Sequence, residues 1–187
     1  MELKPIGVGR AACAAVAALL CQATAEAQGA ANLAAEADDL CKLAAFVDWP
    51  GAAGAAQVST FDLCVIGDDP FGAVLDHAVV GQSVAGRPIV VRRLAAAEQA
   101  TSCRIAFVAG SATQPVKAAL LLLHGVPVLT VTHSADSPGM VDFLLDQNQL
   151  RFRIDDQAAA DEGLSISSKL LGLAVSVTPR KSSAASP

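Results

Sequence analysis

From Phe61 to Val131, short apolar runs rich in β-branched residues take turns with helical stretches that open on proline, a rhythm few architectures accommodate. The runs Phe61 to Ile66, Ile89 to Leu94, Ile105 to Ala109 and Val126 to Val131 have the length of strands. Pro70 to Val80 and Pro115 to His124 read as helices, each with proline in a first turn that tolerates a missing N–H. Parallel strands need a crossover, so this alternation builds a largely parallel sheet with helices on both faces. A different pattern follows. Met140 to Leu145 and Leu150 to Ile154 flank the polar tetrad Asp146-Gln147-Asn148-Gln149, a connection of hairpin length, and an antiparallel hairpin is expected to join the parallel strands.

The segments around this frame are simpler. Leu33, Ala37, Leu40, Cys41, Ala44 and Ala45 recur at spacings of three and four, which predicts a helix over Leu33 to Phe46 with Asn32 as its cap and Cys41 on its inner face. A buried small hydrophobe is the usual fate of such a cysteine. Trp49-Pro50-Gly51 then breaks the chain, and Ala52 to Gln57 has the composition of a surface loop. Trp49 is expected to plug the core beneath that loop. Ser165 to Leu173 reads as a last short helix, and Thr178 to Pro187 as a disordered polar tail. The fold class is therefore α/β: one domain over residues 30–177, a mostly parallel central sheet flanked by helices, and a C-terminal antiparallel hairpin. A chain of 187 residues is of a size for one such core.

Charge and targeting narrow the function. A net charge of −5, with 13 basic residues scattered along the chain, lacks the footprint that binding to phosphate backbones requires, so no nucleic-acid partner is expected. Lys4 and Arg10 precede the uninterrupted apolar run Ala11 to Cys21, and Ala23-Thr24-Ala25 and Ala25-Glu26-Ala27 offer cleavage patterns. Residues 1–27 read as a signal peptide cut after Ala25 or Ala27. The apolar run is well short of the ~20 residues that cross a bilayer. Leu20 is not the small residue that lipidation of Cys21 would need. A soluble mature chain in an oxidising compartment is expected, with Cys41, Cys64 and Cys103 left in it. One bridge and one spare thiol is the simplest assignment.

Candidate reactive groups are few. Asp68-Asp69-Pro70-Phe71-Gly72 stands at the carboxyl end of the first strand, where open α/β sheets bind ligands. The acidic pair could hold a divalent metal, but the run Phe107-Val108-Ala109-Gly110-Ser111 adds no carboxylate from a neighbouring strand. The plainer expectation is that Asp69 caps the next helix and Pro70 occupies its first turn. Gly67 and Gly72 have the spacing of the outer glycines of a phosphate loop without the Lys-Ser or Lys-Thr that should follow. Ser111 sits in no G-x-S-x-G elbow, and His77, His124 and His133 lack partners at metal spacing. Arg92 and Arg93 place one guanidinium on each side of a strand, as salt bridges or rim charges. No catalytic residue, metal ligand or cofactor is assigned. The pair Cys64 and Cys103 remains: the strands that carry them are neighbours if the chain reverses direction in the sheet after the second strand. A bridge there would close a loop of about 40 residues and stabilise the fold by roughly 4 kcal/mol on chain-entropy grounds.

Taken in order, these motifs resemble a known family. Phe46-Val47-Asp48-Trp49-Pro50 is similar to the F-V-E-W-P signature ending the first helix of the YfiR-like family of exported bacterial proteins. Phe61 to Gly72, Gly86 to Leu94, Ser102 to Phe107, Val128 to Val131 and Leu164 to Leu171 resemble its successive strands, turn and closing segment. The resemblance implies a non-catalytic periplasmic regulator that binds the periplasmic portion of an inner-membrane signalling protein such as the diguanylate cyclase YfiN. Such a protein holds cyclic-di-GMP synthesis down and is itself titrated by an outer-membrane YfiB-like lipoprotein, under the control of envelope stress or disulfide reduction. It leaves room for a homodimer. Cys64 and Cys103 match positions where the family places a cysteine pair; its second, more C-terminal pair is missing, since no cysteine follows Cys103. The alternative is a periplasmic domain that binds a small molecule or metal in the crevice near Asp68 and Asp69.

Overall fold

The computed structural model describes residues 28–50, 59–147 and 149–181. The expected signal peptide, the expected loop from Ala52 to Gln57 and the last six residues of the chain lie outside them. A helix over residues 28–43, α1, runs into a 3-10 turn at Ala44–Phe46. It begins earlier than the apolar spacing suggested.

After the short strand β1 (Val47–Asp48) come β2 (Phe61–Gly67), α2 (Ala73–Ala78), β3 (Ser83–Val84) and β4 (Arg87–Leu94). A 3-10 helix at Ala97–Ser102 leads into β5 (Ile105–Gly110), then α3 (Val116–Leu122) and β6 (Leu129–Thr132). The chain closes with β7 (Val141–Asp146), β8 (Gln149–Asp155), α4 (Asp156–Asp161), β9 (Ser165–Ile166), α5 (Ser168–Leu171) and β10 (Ser176–Thr178). The main sheet has the order β10-β8-β7-β6-β5-β2-β4-β3. From β4 to β7 neighbouring strands are parallel, and β7 pairs with β8 antiparallel through Asp142↔Arg153 and Phe143↔Phe152. The fold is thus the mixed α/β domain expected, with β2 central and flanked by β4 and β5.

Its core follows from the two-residue period of strands. In β2 the odd positions Phe61, Leu63 and Val65 face α1, which packs Ala37, Leu40, Cys41 and Leu43 against them, and α2, which adds Leu75. The even positions Cys64 and Ile66 face the other layer, where Ala97 and Ala100 of the 3-10 helix meet Ala119 and Leu123 of α3 and its C-terminal cap. Both faces of β2 are covered, so its sequence is a continuous apolar run except for Asp62. Trp49 is 8% exposed, packs edge-on against Phe61 at 5.3 Å between centroids, and donates its indole N–H to the Arg104 carbonyl at 3.1 Å. The indole is a core plug that ties the end of α1 to the start of β5.

Three local expectations are corrected. The second helix starts at Ala73 with Gly72 as its N-cap residue, so Pro70 precedes it instead of filling its first turn. Ser165 and Ile166 form β9 against β1, and the expected helix shrinks to Ser168–Leu171, because the Ser167 hydroxyl accepts from Lys169 N–H and starts the helix there. Thr178, expected to open a free tail, closes β10 alongside β8. Beyond it, Arg180 forks onto both oxygens of buried Asp156 at 2.8 and 2.9 Å, which anchors the chain to the start of α4. A carboxylate taken from water needs such a partner, and a two-pronged guanidinium is the strongest available.

Candidate functional site

In a parallel sheet whose second strand lies outside the first, ligands bind beyond the carboxyl ends of the strands where the order reverses. Here that point lies between β2 and β5, at Gly67, Asp68 and Gly110. The register shifts between Ile66 and Gly67, and Asp68 N–H donates to the Gly110 carbonyl at 2.8 Å. Gly67 has φ +94°, and a Cβ there would strike the Gly110 carbonyl oxygen. The two backbones therefore touch where a cofactor would enter. A small cleft of about 330 Å³ remains beside them, lined by Asp68, Pro70, Phe107, Val108, Ala109, Val116 and His133.

The neighbouring carboxylate is occupied internally. Asp69 Oδ1 accepts from Phe71 N–H at 2.7 Å and Oδ2 from Gly72 N–H at 3.2 Å, so it caps the turn before α2 and not the helix itself. Arg93, reaching across from β4, donates to the same Oδ2 at 2.6 Å and to Asp76 of α2 at 2.9 and 3.1 Å. Partial burial opposes ionisation of Asp69, but the guanidinium and the two N–H donors outweigh it and hold the carboxyl below its ordinary range. Arg92 points to the other face and pairs with buried Asp62 at 2.6 Å. The two arginines thus do separate structural work on opposite faces. Among the described residues no three His, Cys, Asp or Glu side chains converge as a metal site would need.

The remaining polar candidates also have local partners. The Ser111 hydroxyl lies 3.2 Å from that of Thr113 and accepts from Gln114 N–H. His124 stands 3.6 Å from Glu162, and His133 stands 3.0 Å from Glu36 of α1, a buried carboxylate that sequence reasoning passed over. Burial pushes the Glu36 carboxyl up, against the pull of His133. No sequence spacing announces this pair, because α1 and β6 meet only through the fold.

The cysteines complete the picture. Cys64 of β2 and Cys103, just before β5, are joined, with their Cα atoms 5.9 Å apart and a separation of 39 in sequence. Both are buried on the α3 face among Ala97, Ala100, Ala106 and Val108. Cys41 is free and buried under α1; desolvation, aided by Asp38 and opposed by Lys42, pushes its thiol up to about 11. At that value it is not a nucleophile at neutral pH.

The arrangement is one of internally satisfied polar groups around a cross-linked α/β core. No curated protein matches the sequence significantly. A family model described as YfiR/HmsC-like matches residues 34–175, a span running from α1 to the residue before β10. With most of the first helix, the Trp49 plug, the parallel strands and the closing hairpin inside that span, the chain belongs to the YfiR/HmsC-like family.

Proposed function

We propose that this protein is a non-catalytic regulator that works in the periplasm by binding the periplasmic portion of an inner-membrane signalling enzyme, a diguanylate cyclase, and holding its output down. The family match over residues 34–175 carries this reading. The site geometry supports it: the backbones of Gly67 and Gly110 occupy the place where a doubly wound sheet takes its ligand, and both oxygens of Asp69 are engaged within the chain. The N-terminal segment with its two A-x-A patterns supports export. An outer-membrane lipoprotein of the YfiB type is the natural competitor for the same regulator. The single bridge between Cys64 and Cys103 serves here to hold the fold.

Deletion of the gene should raise cyclic-di-GMP in the cell, and affinity capture from detergent-solubilised membranes should recover an inner-membrane protein with a periplasmic domain and a cytoplasmic cyclase. Unchanged cyclic-di-GMP together with no such protein captured would overturn the proposal. A metal or small molecule whose thermal shift disappears in Asp68→Ala would point instead to a ligand-binding domain.

A further inference from the structure

A second, roomier cavity lies away from the strand ends, between α3 and α4. It is a groove of about 610 Å³ over β7, β8 and β10, and His124 and Glu162 face each other across it at 3.6 Å. One wall is apolar. Leu120 and Leu121 of α3 line it, and Leu121 is 69% exposed. Met140 adds to the lining.

The charges of the groove are unequal. Arg153 is used up on Asp142, at 2.7 Å, beside the Thr132 hydroxyl and Ser134 N–H that the same carboxylate accepts. Asp155 caps α4 and the nearly buried Glu162 faces His124, which leaves the exposed Asp136 and Asp161 against the one further cation, Lys117, among the lining residues. A low-dielectric trough bounded by carboxylates attracts cations and repels anions. We propose that this groove receives a segment of the signalling partner that carries lysine or arginine on either side of an apolar side chain. The apolar residue packs against Leu120 and Leu121, and the cations face Asp136 and Asp161. This rests on the regulatory reading above and adds to it the surface used and the chemistry of the segment it takes.

The test uses two short synthetic peptides, one alternating lysine and leucine, the other glutamate and leucine, titrated into the isotope-labelled mature chain while backbone amide shifts are followed. The lysine peptide should move amides of α3 and α4, bind at least tenfold more weakly in Asp161→Lys and in Leu121→Ser, and weaken as salt is raised. Both side chains are exposed, so neither variant threatens the fold. The glutamate peptide should not bind. Equal binding of the two peptides, shifts centred elsewhere, or variants that bind as well as the parent would overturn the assignment. In cells, the same two variants should raise cyclic-di-GMP toward the level of the deletion. If the deletion raises it and both variants repress normally, the groove is not the docking surface and the regulatory reading stands. If the deletion itself changes nothing, that reading fails, and this one with it.

Discussion

The two halves of the central sheet are held together by different means. The strands β2, β5 and β6 are buried on both faces, mainly by apolar side chains, with the Cys64–Cys103 bridge set into one layer and the half-exposed β4 at their edge. From β7 to β10 the layer that faces the α3–α4 groove is polar, and its strength comes from buried carboxylates, each answered by an arginine: Asp142 by Arg153, Asp156 by Arg180. Apolar packing and a covalent link carry most of the first half, with the Arg92–Asp62 and Arg93–Asp69 pairs toward its edge, so it depends less on salt and pH than the second, where arginine–carboxylate pairs hold the strands. The half that is held electrostatically is also the half that borders the groove. A recognition surface needs polar groups, and here the carboxylates that support the strands, Asp142 and Asp156, lie near the separate ones, Asp136 and Asp161, that charge the trough.

The contrast can be broken from the apolar side first. Cys64→Ser should lower stability by about 4 kcal/mol under oxidising conditions and change little in strong reductant, where the parent loses the same loop closure; denaturant unfolding with and without reductant reads this. Next comes Asp142→Ala, which strands the Thr132 hydroxyl and Ser134 N–H in a buried setting and should cost about 2 to 3 kcal/mol. Removing the tail clamp with Arg180→Ala should cost about 1 to 2 kcal/mol and, as hydrogen exchange would show, release β10 and α4 while leaving β2 and β5 protected. If protection falls equally across the whole sheet, the two halves are not separately held. The smallest effect is expected at Asp69→Asn, about 1 kcal/mol at neutral pH. The folded state depresses the Asp69 carboxyl, so its contribution is present above the ordinary carboxylate range and vanishes as pH falls through the depressed value. Parent and variant should converge in acid, which thermal unfolding at pH 7 and near pH 3 would show.

Which parts of this could be read from the residues follows from burial. β2 is legible because a strand covered on both faces leaves a continuous apolar run, and the hairpin of β7 and β8 because a polar tetrad separates two such runs. The strands β3, β9 and β10 span two or three residues each, too few to show a period. Ser165 and Ile166 fall inside a stretch with helical spacing, and only their pairing with β1 makes them extended. At the candidate site, the position of Asp69 after a strand was visible, but not its partner: Arg93 reaches it from β4, and that adjacency exists only once β4 lies beside β2. The groove was out of reach altogether, since its lining comes from residues spread between Lys117 and Thr178.

The contact of Gly67 with Gly110 limits what can be made of this scaffold. Because main chain meets main chain there, exchanging side chains around the cleft cannot widen it, and even alanine at Gly67 would prise β2 from β5. Anyone wishing to install a nucleotide or flavin pocket would have to insert residues after both strands. Random point mutation is therefore a poor route from this scaffold to such a pocket.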